Sequence, residues 1–395
     1  MSSNNKSNSQ NEKVLLKGNE AFAEAAIRGG LRFYFGYPIT PQSEIPEFMS
    51  RELPKRGGVF LQAESELGAI NMAYGAGAAG GAVFISSSSP GIALMQEGMS
   101  FLCSAEVPLV ALNVSRGGPG IGGIQPGQAD YFQTTRGGGN GDYKIPVFAP
   151  ASIQEAIDLI YEAAELADKW RNPIMIFADG IMGQMMEPVS LPEQRPFIEA
   201  GDIRKAKPWA ATGYGEDASK RSIVKSLRMQ PDELEAHVEK LFEKYARAEK
   251  ELVRVETRDL DDADIVLVAF GTVARIAREA IDILAERGIK AGLIRPISLW
   301  PFPYATFDEI GARTKAVISA ELSMGQMLED VKIGVGKRLP VRLIHRTGGM
   351  IPTSLELADS AEKIYIESGG TGFNNILINN TGLQPGRRSG DKEVL

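Results

Sequence analysis

Cysteine is nearly absent: Cys103 is the only one in 395 residues. A single thiol excludes an intrachain disulfide framework, and it excludes a cysteine-ligated iron–sulfur cluster held by this polypeptide alone. Cys103 lies in the apolar run SFLCSAEVPLV, which reads as a buried helix position and not a reactive one. Histidine is almost as scarce. His237 falls in a charged helical segment and His345 has no companion at ligand spacing, so the expected number of metal sites in this chain is none. No stretch approaches the roughly 18 apolar residues of a membrane span. The polar start MSSNNKSNSQNEK lacks the apolar core of a signal peptide, so a cytoplasmic location away from the membrane is expected. Basic residues are outnumbered: 43 Lys and Arg against 50 Asp and Glu give a formal charge of -7. A nucleic-acid partner is therefore not expected.

Glycine is plentiful, with 43 residues and no strict repeat, which excludes collagen-like and linker classes. The length and the 43% of apolar residues support two domains with real cores. Residues 14–195 alternate short apolar strands such as GGVFLQAE, GAVFISS and NPIMIFAD with helical segments. In SIQEAIDLIYEAAELADKW, Ser152 is the expected N-cap of a periodic helix. Strands joined by helices of this length require a parallel sheet covered on both faces. Residues 196–256 change character: a loop is followed by the charged, amphipathic DELEAHVEKLFEKYARAEKELVRVE, a connector that packs one face. A second α/β unit spans 257–365, with DADIVLVAFG as its first strand and Gly288 as a C-cap. Residues 1–13 and 366–395 read as tails.

The glycine loops do not form a nucleotide site. None has the GxxxxGK[ST] form, and GAGAAG lies inside a helix pattern instead of directly after a strand. Other segments are more informative. In RFYFGYPITPQSEI an aromatic strand ends at Gly36, and prolines bracket Ile39 and Thr40. This is either a plain turn or a rigid loop that presents the Thr40 hydroxyl. The loop 113–143, NVSRGGPGIGGIQPGQADYFQTTRGGGNGDY, is too long for a routine connection. Arg116 stands just past a strand's carboxyl end, where open parallel sheets bind ligands. Its guanidinium can hold a carboxylate, or it can pair with Asp130 or Glu106; Arg136 faces the same choice. Glu64 and Glu66 flank a helix start, serving either the helix dipole or a cleft. SSSSPG at 86–91 is either loop filler or a donor-rich wall.

On YFGYPITPQSE, AESELGAINMAYGAGAAG and the 113–143 loop, the sequence resembles the alpha-type subunit of the 2-oxoacid:ferredoxin oxidoreductases over residues 14 to about 360. The resemblance is strongest to the branched-chain, or 3-methyl-2-oxobutanoate, group. It implies two tandem α/β domains with mostly parallel sheets: a thiamine diphosphate pyrimidine-binding domain, then a transketolase C-terminal-like domain. It implies Thr40 and Arg116 as contacts of the oxoacid carboxylate. Glu66 is implied as the acid at N1' of the cofactor aminopyrimidine, with Glu64 as the alternative if the alignment slips by two residues. Arg136 would serve a distal carboxylate if the substrate were 2-oxoglutarate; Ile39, Ile121 and Ile124 would favour an apolar tail. Pyruvate and aryl 2-oxoacids are further options. The family's diphosphate and magnesium motif, GDG with a later asparagine, is matched only loosely by GDY at 141–143 and Asn172. Magnesium and [4Fe-4S] clusters are therefore expected in partners: a beta-type subunit, gamma- and delta-type subunits or equivalent domains, and ferredoxin, with coenzyme A as acyl acceptor. Against this stand a non-catalytic ligand-binding subunit of the same fold and a transketolase-like transferase that works without ferredoxin.

Overall fold

The computed structural model describes residues 13–214 and 221–371. Most of both tails, and part of the loop that opens the connector, lie outside the described residues. Strand β1 (Val14–Lys17) leads into helix α1 (Gly18–Arg28), and β2 (Phe33–Gly36) into α2 (Glu44–Glu52). The alternation continues through β3 (Val59–Gln62), α3 (Glu66–Ala78), β4 (Val83–Ser87), α4 (Ser89–Ser104) and β5 (Leu109–Ser115). The long loop after β5 contains α5 (Tyr131–Arg136). Then come β6 (Val147–Phe148), α6 (Ile153–Trp170), β7 (Pro173–Asp179), α7 (Gly180–Gln184) and β8 (Met186–Val189). The connector carries α8 (Ile203–Ala206) and α9 (Pro231–Glu251). The second unit opens with β9 (Val255–Arg258), β10 (Ile265–Val268), α10 (Gly271–Glu286), β11 (Ala291–Pro296) and β12 (Ser298–Trp300). It closes with β13 (Ala316–Glu321), α11 (Gln326–Val335), β14 (Val341–His345) and α12 (Ser354–Glu367).

The expected pair of α/β units with largely parallel sheets is present. The first sheet has seven strands in the order β12-β6-β7-β5-β4-β2-β3, parallel except at β12. Its central strands LVALNVS and PIMIFAD are buried at every position, which their unbroken apolar runs require when helices cover both faces. Ser152 caps α6 by accepting from the Glu155 N–H, and Ser65 caps α3 by accepting from the Gly68 N–H. The second sheet has five strands, β14-β13-β10-β11-β9, with only β9 antiparallel. On α9 the buried residues His237, Leu241, Lys244, Tyr245 and Ala248 form one stripe, so this charged helix docks by a single face. His237 is spent structurally, with Nε2 2.8 Å from the Ser104 carbonyl. Cys103 is buried, and burial pushes its thiol up to about 12, which keeps it inert. No helix among the described residues is long and apolar enough to cross a membrane.

The two units do not separate cleanly. β12 belongs by sequence to the second unit, yet it pairs with β6 at the edge of the first sheet. Arg295, 3% exposed, bridges Glu155 of α6 at 2.8 and 2.9 Å and Glu256 of β9 at 2.8 Å. Phe270 lies 5.8 Å from both Tyr131 and Phe177 (ring centroids), so one apolar core runs through the joint. Asp330 of α11 is fully buried. It accepts from the Tyr131 hydroxyl at 2.6 Å, from Arg136 Nη2 at 2.8 Å and from the Tyr304 hydroxyl. Thus α5, in the middle of the long loop, is fastened to the second unit.

Asp330→Ala would leave the buried Tyr131 hydroxyl without a partner. It should lower the opening free energy of α5 by roughly 2–4 kcal/mol in native-state hydrogen exchange, against about 1 kcal/mol for Tyr304→Phe at the part-exposed end. Equal effects of the two substitutions would remove Asp330 from its place as the anchor.

Candidate active site

In the first sheet the chain runs from β2 outward to β3 and then crosses to β4 on the other side of β2. That reversal opens a crevice at the carboxyl ends of β2 and β4, where open α/β sheets take ligands. The loops leaving those two strands carry YPITPQ and SSSP.

Thr40 is exposed on the first loop, and its peptide bond to Pro41 is cis. The loop is pinned from several sides. The Pro41 carbonyl accepts from Asn19 Nδ2 at 2.7 Å and from Gln184 Nε2 at 2.9 Å. Gln42, fully buried, accepts from the Ser86 hydroxyl at 2.7 Å, and Ser86 in turn meets the Tyr34 hydroxyl at 2.9 Å. Arg116 completes the frame: Nη1 donates to the Thr40 carbonyl at 2.8 Å and Nη2 to the Ile121 carbonyl at 2.9 Å. It is 7% exposed, and its Nε has no partner.

The alternative partners proposed for Arg116 are occupied elsewhere. Asp130 accepts from Ser89, Asn113 and Ser115 at 2.6, 2.9 and 3.0 Å. Glu106 pairs with Lys240 at 2.6 Å and Lys244 at 3.6 Å. Among the described residues no carboxylate neutralises Arg116. A buried cation is costly unless something pairs with it.

Glu66 is the first residue of α3 and 5% exposed, whereas Glu64 is exposed and lies over Gly68. Among the described residues nothing donates to the Glu66 carboxylate. It packs against Gly91 of α4: a Cβ there would stand 2.5 Å from Glu66 Oε1 and 2.0 Å from Ser87 Oγ. The hydroxyls of Ser87 and Ser88 are buried and unpartnered too, as is Gln42 Nε2. The backbone N–H of Arg116 donates to the Ser89 hydroxyl at 2.9 Å, which ties both halves of the crevice together. Unsatisfied buried polar atoms are rare in folded proteins, and Gln42 Nε2, Ser87 Oγ, Ser88 Oγ and Arg116 Nε are among those of the described residues.

A cavity of about 440 Å³ opens at Thr40, with Pro41, Ile124, Ile181 and Ile351 among its walls and Glu44 as its one charged lining residue. Burial pushes the Glu44 carboxyl up, but donors from Lys17, Asn19 and Gln184 outweigh this and hold it below the usual carboxylate range. Of the three isoleucines expected to line a tail pocket, only Ile124 does so; Ile121 is 84% exposed. Arg136 is not brought together with Thr40 and Arg116. It pairs with Asp330 and lines a separate cavity of about 490 Å³ with Lys144, Trp300 and Tyr304. Asn172 and Tyr143 hold backbone, bonding to the Lys144 carbonyl and the Gly139 N–H. Sequence reasoning missed Gln42, Gly91, Ile181 and Ile351. The SSSSPG run was the one visible signal for this wall.

Residues 24–257 match the family described as pyruvate flavodoxin/ferredoxin oxidoreductase, thiamine diphosphate-binding, and residues 263–357 match pyruvate:ferredoxin oxidoreductase core domain II. The chain belongs to this family. It is an alpha-type, thiamine diphosphate-binding subunit of a 2-oxoacid:ferredoxin oxidoreductase. The ketoisovalerate oxidoreductase subunit VorB of Methanothermobacter thermautotrophicus is 47% identical over 350 residues, covering 89% of this chain and 96% of that protein. The 2-oxoglutarate synthase subunit KorA of Methanocaldococcus jannaschii is 36% identical over 364 residues, covering 87% and 98%. Among solved structures, 2-oxoglutarate:ferredoxin oxidoreductase from Magnetococcus marinus superposes with a TM-score of 0.77 at 25% identity, covering 90% of this chain and 65% of that one. A split-gene transketolase (TM-score 0.54, 16% identity, 89% and 98% covered) shares the fold.

Gly91→Ala tests the packing of Glu66 against α4. Alanine suits a helix better than glycine, so the fold should persist by circular dichroism. The added methyl should push the Ser87 hydroxyl and Glu66 aside and weaken thiamine diphosphate binding to the complex by about 10-fold or more, as expected when positioned groups move by an ångström. Unchanged cofactor affinity would mean that the Glu66–Gly91 contact plays no part in binding.

Proposed function

We propose that this chain serves a coenzyme A-dependent complex that oxidatively decarboxylates a branched-chain 2-oxoacid, 3-methyl-2-oxobutanoate, to acyl-CoA and carbon dioxide. The observation that carries the reading is a pair of buried groups: a cation at Arg116 with no carboxylate partner and an acid at Glu66 with no hydrogen-bond donor among the described residues. An oxoacid carboxylate suits the first and an aminopyrimidine suits the second.

The residues present fit thiamine diphosphate. Glu66, 5% exposed, would hold a proton at N1' of its aminopyrimidine through a hydrogen bond. The Ser87 and Ser88 hydroxyls and Gln42 Nε2 supply further polar contacts, and Gly91 leaves the space. When bound, the cofactor supplies the electron sink that lets carbon dioxide leave. Arg116 and the Thr40 hydroxyl orient the substrate carboxylate. Two of the guanidinium's nitrogens are already engaged by carbonyls, so it steers this group without an excessive grip. That matters because the charge departs with carbon dioxide.

The 440 Å³ cavity beside Thr40 supports an apolar tail: Ile124, Ile181 and Ile351 line it, and no Lys or Arg does. With Arg136 paired to Asp330, a second carboxylate would find no free cation there. Magnesium with the cofactor diphosphate falls to a beta-type subunit, and iron–sulfur clusters to gamma- or delta-type subunits that pass electrons to ferredoxin. The single cysteine of this chain supports placing the clusters in other subunits.

In acceptor-dependent assays of the intact complex, 3-methyl-2-oxobutanoate should give a higher kcat/KM than 2-oxoglutarate, pyruvate or an aryl 2-oxoacid. A preference for 2-oxoglutarate would sink the substrate assignment. Glu66→Gln should leave assembly intact and reduce turnover by roughly 100- to 10,000-fold, the range for a lost acid–base contribution. Arg116→Ala should chiefly raise KM for the oxoacid, and normal kinetics would return Arg116 to loop structure.

A further inference from the structure

Arg116 can orient a carboxylate only if its loop is held still, and the first unit holds that loop incompletely. The segment 117–125 turns back on itself through Gly117 N–H donating to the Gln125 carbonyl and Gly123 N–H donating to the Gly117 carbonyl, both at 2.8 Å. An isolated bridge pairs Arg116 with Pro126. Ile121 and Ile124 are exposed, so no apolar packing fixes the turn. Gly117 and Gln125 pack against Gly348 and Gly349 of the second unit, and further restraint comes from the residues on the carboxyl side of Pro126.

Two positions beyond that proline sits Gln128, 1% exposed. Its side chain is satisfied entirely by the second unit: Nε2 donates to the Phe270 carbonyl just past β10, and Oε1 accepts from the Leu322 N–H after β13, both at 3.0 Å. Its own N–H donates to the Leu322 carbonyl at 3.0 Å. Gln326 reciprocates from the other side, its Oε1 accepting from the Phe132 N–H at 2.7 Å and its Nε2 donating to the Ala129 carbonyl at 2.6 Å. The Leu322 end of the clamp is itself fixed. The buried Glu321 carboxylate beside it accepts from Ser319 at 2.8 Å, from Ser323, and from the N–H groups of Met327 and Leu328 at 3.0 Å each.

A continuous path therefore runs from β10 and β13 through Gln128 and the Arg116–Pro126 bridge to the guanidinium and Thr40. We propose that Gln128 is a positioning residue for substrate binding, through which the second unit sets the place of Arg116. It touches no substrate and acts through the arginine. The inference rests on the proposed role of Arg116 toward the oxoacid carboxylate.

The test is a double-mutant cycle in the intact complex, using Gln128→Leu, Arg116→Lys and the pair. Gln128→Asn replaces the leucine variant if that one fails to assemble, since its shorter amide keeps the polarity but cannot span both partners. Gln128→Leu should raise KM for 3-methyl-2-oxobutanoate by about 10- to 100-fold, the scale expected of a misplaced contact, while kcat changes far less. In the Arg116→Lys background the same change should add little, because the group it positions is already gone. Independent, multiplying effects would assign Gln128 to general stability and overturn the inference, as would an unchanged KM. If Arg116→Lys itself leaves KM untouched, the carboxylate reading of Arg116 fails instead, and the two failures remain distinguishable.

Discussion

A guanidinium buried against carbonyl oxygens alone is the constraint on which the rest of this structure turns. Arg116 engages the Thr40 and Ile121 carbonyls and has no carboxylate partner among the described residues. A carboxylate about 4 Å away would gain on the order of 4 kcal/mol at an effective dielectric near 20. A neutral hydrogen bond returns only about 1 kcal/mol net. An anion would complete this site in the proposed reading, and the competing acids Asp130 and Glu106 are kept occupied by Ser89, Asn113 and Ser115 in one case and by Lys240 and Lys244 in the other.

The second unit supplies this arrangement with a scaffold. It contributes an edge strand to the first sheet, shares its apolar core, and clamps the long loop at Gln128, Gln326 and Asp330. Its own sheet ends, at Phe270 and Leu322, face that loop. In this reading the second unit thereby governs how firmly the crevice is formed. The remaining chemistry, from the diphosphate to electron transfer, belongs to other chains in this reading.

Local physics made much of this legible in the sequence. Unbroken apolar runs announced the buried strands, Ser152 its cap, and the position of Arg116 just past a strand end its crevice. Glu66 and Glu64 could not be separated by residue type; burial separates them, because the helix begins at Glu66 and turns it toward Gly91. Long-range pairing was not legible. SLW in β12 looks like any strand of the second unit, and only tertiary contact sends it to β6. For Arg136 the choice between a ligand carboxylate and a structural pair stayed open because Asp330 lies 194 residues away. Ile351 joins Thr40 at one cavity for the same reason, a neighbour supplied by folding and not by spacing.

The most direct measurement is a structure of the assembled complex with thiamine diphosphate and 3-methyl-2-oxobutanoate bound under conditions that prevent turnover. The expected result has the oxoacid carboxylate within hydrogen-bonding distance of the Arg116 guanidinium and the Thr40 hydroxyl, with the pyrimidine ring against the Glu66 carboxylate. A ring seated away from Glu66, or a carboxylate bound by other residues with Arg116 still resting on its two carbonyls alone, would contradict it.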